Sequence, residues 1–211
     1  MRYNKGFNNH NDISKLIPLI GVLFYVLIYI AATCLYPGGS DKYPDHAGFD
    51  WINNFWCDLT DKITESEEIN TARPVAIFGM LVLSFSIGFL AYIIPLYFGD
   101  QKIFFLIRYF GLAAMFSANF VFTDFHGPAA YIAGIFGIPP LALAYYGLYK
   151  KNEVVLLTIG LISLFFLALN YFIYVSKFYI EILPLIQKIA FMAFLIWICM
   201  LDIKVWKALR I

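Results

Sequence analysis

Polar and apolar positions in this chain do not alternate. They segregate into six apolar stretches, at about residues 16–36, 73–98, 103–123, 128–149, 154–176 and 181–203. A helix needs about 20 residues to cross the hydrocarbon core of a bilayer, and each stretch is near that length. Hydrocarbon offers no partner to backbone N–H and C=O groups, so such a stretch must pair them internally as a helix. The pattern predicts an all-α, polytopic membrane protein, a six-transmembrane-helix bundle forming one domain over residues 1–211. Continuous runs exclude an outer-membrane barrel, which needs alternation. The breaks carry turn chemistry. Pro37-Gly38-Gly39 ends the first stretch, and Arg73-Pro74 opens the second with proline where helix starts accept it.

One break is long. Residues 37–72 hold Asp41, Asp45, Asp50, Asp58, Asp61, Glu65, Glu67 and Glu68 against Lys42 and Lys62. Within it Phe49, Ile52, Phe55, Trp56, Leu59 and Ile63 recur at helical spacing, with Asp50, Asn54, Asp58 and Asp61 on the other face. This predicts an amphipathic helix lying at the membrane interface, with Trp51 and Trp56 at headgroup depth. A loop folded over the mouth of the bundle is compatible with the same pattern.

Composition agrees with a membrane class: 62% of residues are hydrophobic and 14% charged, against roughly 25% charged in soluble domains. A net charge of +1 gives no reason to expect a nucleic-acid partner. Distribution says more than the sum. Arg2, Lys5, Lys15, Lys102, Arg108, Lys150, Lys151, Lys204, Lys207 and Arg210 fall on one side, whereas Lys42, Lys62, Arg73 and Lys177 fall on the other. Basic loop ends stay cytoplasmic, so the chain is expected in the cell membrane, multi-pass, with both termini inside and residues 37–72 outside. The polar first fourteen residues do not read as a cleaved signal peptide. Cys34, Cys57 and Cys199 lack zinc-type spacing; the first two either pair on an oxidising side or remain separate buried thiols.

Ionisable and amide side chains inside spans are costly and need partners or a wet pocket. Asn119 near the end of the third stretch, Asp124 and His126 in the next turn, Asn170 and Tyr174 in the fifth stretch, and Gln187 and Lys188 in the sixth all fall at similar depth. That depth is the side of the long loop. The candidate site is an outward-facing polar cavity holding Asn54, Asp58, Arg73, Asn119, Asp124, His126, Asn170, Tyr174 and Lys188, with Asp124 or Asp58 as the anion for Lys188. Each residue also has a plainer reading: an asparagine that joins helices, or an aspartate that caps the helix after it. Elsewhere, Arg108 is expected to reach the cytoplasmic headgroups and Asp202 to pair with Lys204 or Lys207. Gly134, Gly137, Pro139 and Pro140 predict close packing and a kink.

Short motifs carry a resemblance. Tyr36-Pro37-Gly38-Gly39, the run Phe49-Asp50-Trp51-Ile52-Asn53-Asn54-Phe55-Trp56-Cys57-Asp58-Leu59, then Asn70-Thr71-Ala72-Arg73-Pro74 and Phe122-Thr123-Asp124-Phe125-His126 resemble a bacterial and archaeal membrane family. This is the group called domain of unknown function nine-nine-eight. A fainter likeness is to the Frag1/DRAM group of six-helix proteins, some of which act in glycolipid-anchor remodelling. The resemblance implies a small helical bundle and no defined reaction.

Three functions compete. The first is a non-catalytic protein binding a lipid or small ligand in the outer cavity, with the bilayer, a lipid ligand and a second copy of the chain as expected partners. The second is a membrane-embedded lipid-modifying hydrolase or transferase, with His126 as base and Asp124 and Asp58 as acid or orienter. It has no Gly-x-Ser-x-Gly nucleophile motif, and a zinc site would need His46 and His126 together with carboxylates. No metal site is assigned and no cofactor is indicated. The third is a small-solute transporter, permitted by the Gly/Pro-rich fourth stretch and without a visible inverted repeat.

Overall fold

The computed structural model describes residues 13–99, 101–123 and 125–210, and its regular structure there is helical. Six α-helices follow one another: α1 Ile17–Leu35, α2 Arg73–Phe98, α3 Phe105–Ala118, α4 His126–Lys150, α5 Val154–Ser176 and α6 Leu183–Leu209. Short 3₁₀ turns precede α1, α3 and α6. Pro18, Pro74 and Pro184 sit at the second positions of α1, α2 and α6, where a missing N–H costs no helical bond. At its other end α2 stops at Gly99, in left-handed backbone, whose N–H closes on the Pro95 carbonyl at 3.1 Å.

Five of these helices are long and apolar enough to cross a membrane, by length and composition. The exception is α3, at 14 residues. Its expected stretch, 103–123, ends early because residues after Ala118 form successive tight turns: Phe120 N–H bonds Ser117 and Val121 N–H bonds Ala118. The outward faces of the helices are apolar, with Leu27, Phe85, Ile138, Phe165 and Tyr171 all more than three-fifths exposed. Water would not tolerate so continuous an apolar surface, and hydrocarbon would.

Packing makes α2 the centre. Thirteen of its 26 residues are buried, against four of 25 in α4 and four of 23 in α5, which therefore form the rim. Neighbours in sequence pack side by side along the series from α1 to α4; α5 pairs with α6, which closes against α1 and α2. On α1 the inward stripe is Val22, Tyr25, Tyr29 and Ala32, at three- and four-residue steps, and buried Tyr36 follows just past the helix end.

In lipid, apolar burial does not drive helices together; shape and hydrogen bonds do. The ties are specific. Trp197 of α6, fully enclosed, donates to the Leu156 carbonyl of α5 at 3.0 Å. Tyr145 of α4 donates to the Gly160 carbonyl at 2.9 Å. These rings approach so closely that a Cβ on Gly160 would lie 2.6 Å from Tyr145 and 2.7 Å from Trp197.

The end opposite the long loop has its own ties, two of which correct sequence expectations. Lys204 pairs with Glu153 at 2.8 Å, and Tyr97 donates to the same carboxylate at 2.8 Å, joining α6, the α4–α5 turn and α2. Bonds from Lys204 and Tyr97 outweigh burial and hold the Glu153 carboxyl below its ordinary range. Asp202 instead accepts the Leu19 N–H at 3.1 Å, capping the start of α1 from a different helix. Arg108, expected at the headgroups, packs against the protein. It is buried, lies over the Tyr92 ring at 4.0 Å and donates to the Tyr92 carbonyl at 3.0 Å.

The Gly160 contact yields a prediction. Gly160→Val should lower stability by about 1–3 kcal/mol through overpacking. Gly134→Ala, where an added Cβ meets nothing within 4 Å, should leave it nearly unchanged. Unfolding midpoints of the two variants in one mild detergent decide this; equal midpoints would contradict the packing described.

Candidate functional site

The long loop is built from turns, not from the amphipathic helix its spacing predicts. A helix does begin: Asn54 N–H bonds the Asp50 carbonyl at 2.9 Å, and Asp50 Oδ1 accepts the N–H groups of Ile52 and Asn53. It fails at the next residue because side chains take the donors. Phe55 N–H goes to Asp58 Oδ2 at 2.8 Å, and Trp56 N–H goes to Gln187 Oε1 of α6 at 3.0 Å. One 3₁₀ turn, Cys57–Thr60, is all that resumes. The two faces come out mixed as well: Asn54 and Asp58 are buried with Phe49 and Leu59, whereas Ile52 and Ile63 are exposed with Asp61.

Asn54 is the hub, with no exposed surface. Its Nδ2 donates to the Gly39 carbonyl at 2.7 Å and to Asp58 Oδ2 at 2.8 Å, while its Oδ1 accepts the Asp50 N–H at 2.8 Å. Gly39 holds its carbonyl in place through a φ of +84°, backbone that a side chain would strain. Lys188, 7% exposed, donates to the Asn54 carbonyl and to the Pro184 carbonyl at 3.2 Å. Its ammonium stands 5.6 Å from the Phe49 ring centre and 5.9 Å from that of Trp56, within cation–π range. Lys188 and Asp58 are therefore joined through Asn54, one by its carbonyl and the other by its amide.

Burial pushes the Asp58 carboxyl up to about 6, against the bonds from Asn54 and Phe55 that favour its charge. Burial also pushes the neighbouring Cys57 thiol up to about 12, with the charges of Asp58 and Asp61 adding to it. Cys57 thus stays a thiol, and all three cysteines are free, Cys34 exposed at the end of α1.

The residues expected to share one polar cavity fall in separate places. Asn54, Asp58 and Lys188 form the network above. Arg73 and His126 belong to a second cluster, where Arg73 donates to the carbonyls of Thr60 at 2.9 Å and Phe122 at 3.3 Å. His126 is exposed and its Nδ1 meets the Val121 carbonyl at 2.6 Å. The Asp61 carboxyl, raised by burial, is pulled back by His126 and Arg73. Asn119 donates to the Met115 carbonyl of its own helix at 2.9 Å. Asn170 lies on α5 with a buried Oδ1 that has no partner, and Tyr174 is exposed beneath Lys177. Asp124, expected beside Lys188, lies outside the described residues. Among the described residues no three His, Cys, Asp or Glu side chains come together to hold a metal ion.

Two roles were hidden in the sequence. Asn70, buried, donates to the carbonyls of Asp58 and Asp61 and so sets the end of the loop. Gln187 latches the loop to α6 through the backbone of Trp56. Amides of this kind look alike in sequence whether they point into a loop or into solvent.

Beside the network runs a groove of about 540 Å³ between α1 and α6, under the loop. Tyr25, Tyr29, Trp51, Trp56, Phe191 and Met192 line it, and Lys188 is its only charged lining residue among those described. Trp56 Nε1 is buried without a partner. An apolar recess with one ammonium and one orphan indole donor suits a molecule that is apolar along its length and carries acceptor oxygens at one end.

The Asp58 carboxyl sets a pH dependence. Its folded pKa, about 6, exceeds its ordinary value of 3.8. Its contribution to stability is therefore complete below about pH 4 and lost as pH rises through about 6. The stability difference between wild type and Asp58→Asn should change over that window and be flat above it, whereas Asp58→Ala should cost about 1–3 kcal/mol for each donor left bare. Melting of the three proteins at pH 4, 5, 6 and 7.5 checks this; parallel curves for wild type and Asp58→Asn would refute it. Compared with family models, curated proteins and solved structures, the chain matches none.

Proposed function

We propose that this is an integral membrane protein that binds an anionic amphiphile, a lipid with acceptor oxygens in its headgroup, in the groove between α1 and α6. The observation that carries the reading is Lys188. Its ammonium has three donors, two of which go to the carbonyls of Asn54 and Pro184. The third, with the orphan Trp56 Nε1–H, is suited to a headgroup oxygen, and the aromatic groove to the chain below it.

In this reading the chain crosses the cell membrane six times. α3 and the 3₁₀ turn Lys102–Phe104 before it rise together about 27 Å, close to the ~30 Å of a hydrocarbon core. Both termini are cytoplasmic, following the excess of Lys and Arg at the end away from the loop, which places the groove in the outer leaflet. In a Cys34→Ser background, a cysteine at Glu68 (E68C) should react with a membrane-impermeant maleimide added to intact cells, and one at Lys207 (K207C) only after lysis. The reverse pattern would invert the topology.

Binding is tested in nanodiscs of phosphatidylcholine doped with spin-labelled phosphatidylglycerol or, separately, spin-labelled phosphatidylcholine. Wild type should hold the anionic label roughly tenfold more than the zwitterionic one, the scale of a charge-assisted bond. Lys188→Met should abolish that preference. Trp56→Phe, which keeps an aromatic ring but removes the N–H together with part of the indole, should reduce it, with the melting temperature measured alongside as a control for lost packing. Equal retention of both lipids by wild type, or an unchanged preference in both variants, would overturn the reading.

A further inference from the structure

The ammonium at the head of the α1–α6 groove is joined to a carboxyl by one amide. The Asn54 carbonyl accepts from Lys188, and its Nδ2 donates to Asp58 Oδ2 at 2.8 Å. All three residues are buried. Charges so enclosed act on each other at an effective dielectric of about 20, well below that of water. The two oxygens of Asp58 have different work. Oδ2 takes both structural bonds, from Asn54 and from the Phe55 N–H at 2.8 Å. Oδ1 meets only the Cys57 thiol, at 4.0 Å, a weak donor at the limit of reach. A proton can therefore sit on Oδ1 without breaking the bonds that shape the loop under Lys188.

The groups around Asp58 are mostly acidic. Within the loop it faces Asp41, Asp61 and the Cys57 thiol; beyond α1 it faces the Tyr36 hydroxyl, and from α6 the Lys188 ammonium. Arg73 of α2 and His126 of α4 act on Asp61, and His46 acts on Asp50. Asp58 and Asp50 are the carboxyls whose charge bears on Lys188. Against burial, bonds from Asn53 and Ile52 hold the Asp50 carboxyl below its ordinary range, so it stays ionised while Asp58, at about 6, changes charge. An ionised Asp58 draws on the Lys188 ammonium and repels an anion that approaches it. With Oδ1 protonated, the ammonium is left to the anion.

We infer that anion binding in the groove is coupled to proton uptake on Asp58 Oδ1, so that the site holds its ligand more tightly in acid than at neutrality. This coupling presupposes the lipid reading of the groove and adds its regulation. It runs both ways: the protonated carboxyl favours the bound anion, and the bound anion favours the protonated carboxyl. No other part of the network has to move, because the bonds at Oδ2 serve both charge states.

The experiment measures lipid retention by the full chain in nanodiscs at pH 5, 6 and 7.5. Spin-labelled phosphatidylglycerol, whose phosphodiester keeps its charge over that range, is set against spin-labelled phosphatidylcholine. The wild-type preference for the anionic label should fall about three- to tenfold from pH 5 to 7.5, the scale of one partly screened charge. Asp58→Asn, which keeps an acceptor oxygen and removes the charge, should hold the acid-side preference at all three pH values. Asp61→Asn and His46→Gln should keep the fall. A second readout needs no variant: phosphatidylglycerol added to wild type at pH 6.5 in weak buffer should take up protons, and phosphatidylcholine should not. A wild-type preference equal at all three pH values, or no proton uptake, overturns the coupling and leaves the groove reading in place. A fall that survives in Asp58→Asn overturns it by assigning the proton elsewhere. Absence of any anionic preference at every pH removes the groove reading and the coupling with it.

Discussion

An ammonium enclosed by protein has to find its hydrogen-bond partners in the chain itself, and at Lys188 those partners are main-chain carbonyls. The Asn54 carbonyl can meet it only if residues 50–60 are held in one conformation. That conformation is set by Asn54 itself, whose amide group spans Gly39, Asp50 and Asp58. Removing water from this cluster makes each bond within it stronger and each missing bond more costly. The loop is thus ordered by polar contacts although it covers an apolar groove.

The same rule organises the rest of the bundle. Helices in lipid gain nothing from hiding leucine from water, so their arrangement is written in close approaches and in a few cross-helix bonds. Trp197, Tyr145, Glu153 and Asp202 each join one element to another, and the Asp202 bond spans from the last helix to the first. Asp202 is instructive: a helix start with no side-chain cap of its own receives one from the last helix of the chain. Such a bond closes the ring of helices between α6 and α1.

The helical class was legible because it depends on composition over about 20 residues, and many positions must change to spoil it. The loop was not, because its outcome turned on single donors. Phe49, Ile52, Phe55 and Trp56 keep helical spacing, yet two backbone N–H groups bonded to Asp58 and Gln187 end the helix after one turn. The length of α3 misled for a related reason: Asn119 to Thr123 are apolar enough to extend a span but close tight turns instead. Within the candidate site, depth along the chain was readable and azimuth was not. Asn54, Asp58 and Lys188 meet, whereas Asn119 bonds back to Met115 of its own helix and His126 meets Val121. Only packing assigns a face to a residue on a helix that is apolar all round.

Why position 188 carries a charge at all is a question the energetics sharpen. A buried ion is no better for stability than a well-packed apolar side chain of its size, and is often worse, because desolvation takes back what its bonds supply. Fastening the loop does not require it. Gln187 already ties Trp56 to α6 with a neutral bond, Arg73 holds Thr60, Thr71 reaches the Leu35 carbonyl, and Asn70 closes the far end. A methionine at 188 would fill the same volume beside Phe49 and Trp56 without the desolvation cost, but would leave the Asn54 carbonyl without its donor. What a lysine adds, and a methionine lacks, is a positive potential at the head of an aromatic groove, with one N–H left for something that enters it. In the proposed reading, that potential answers an acceptor-bearing headgroup.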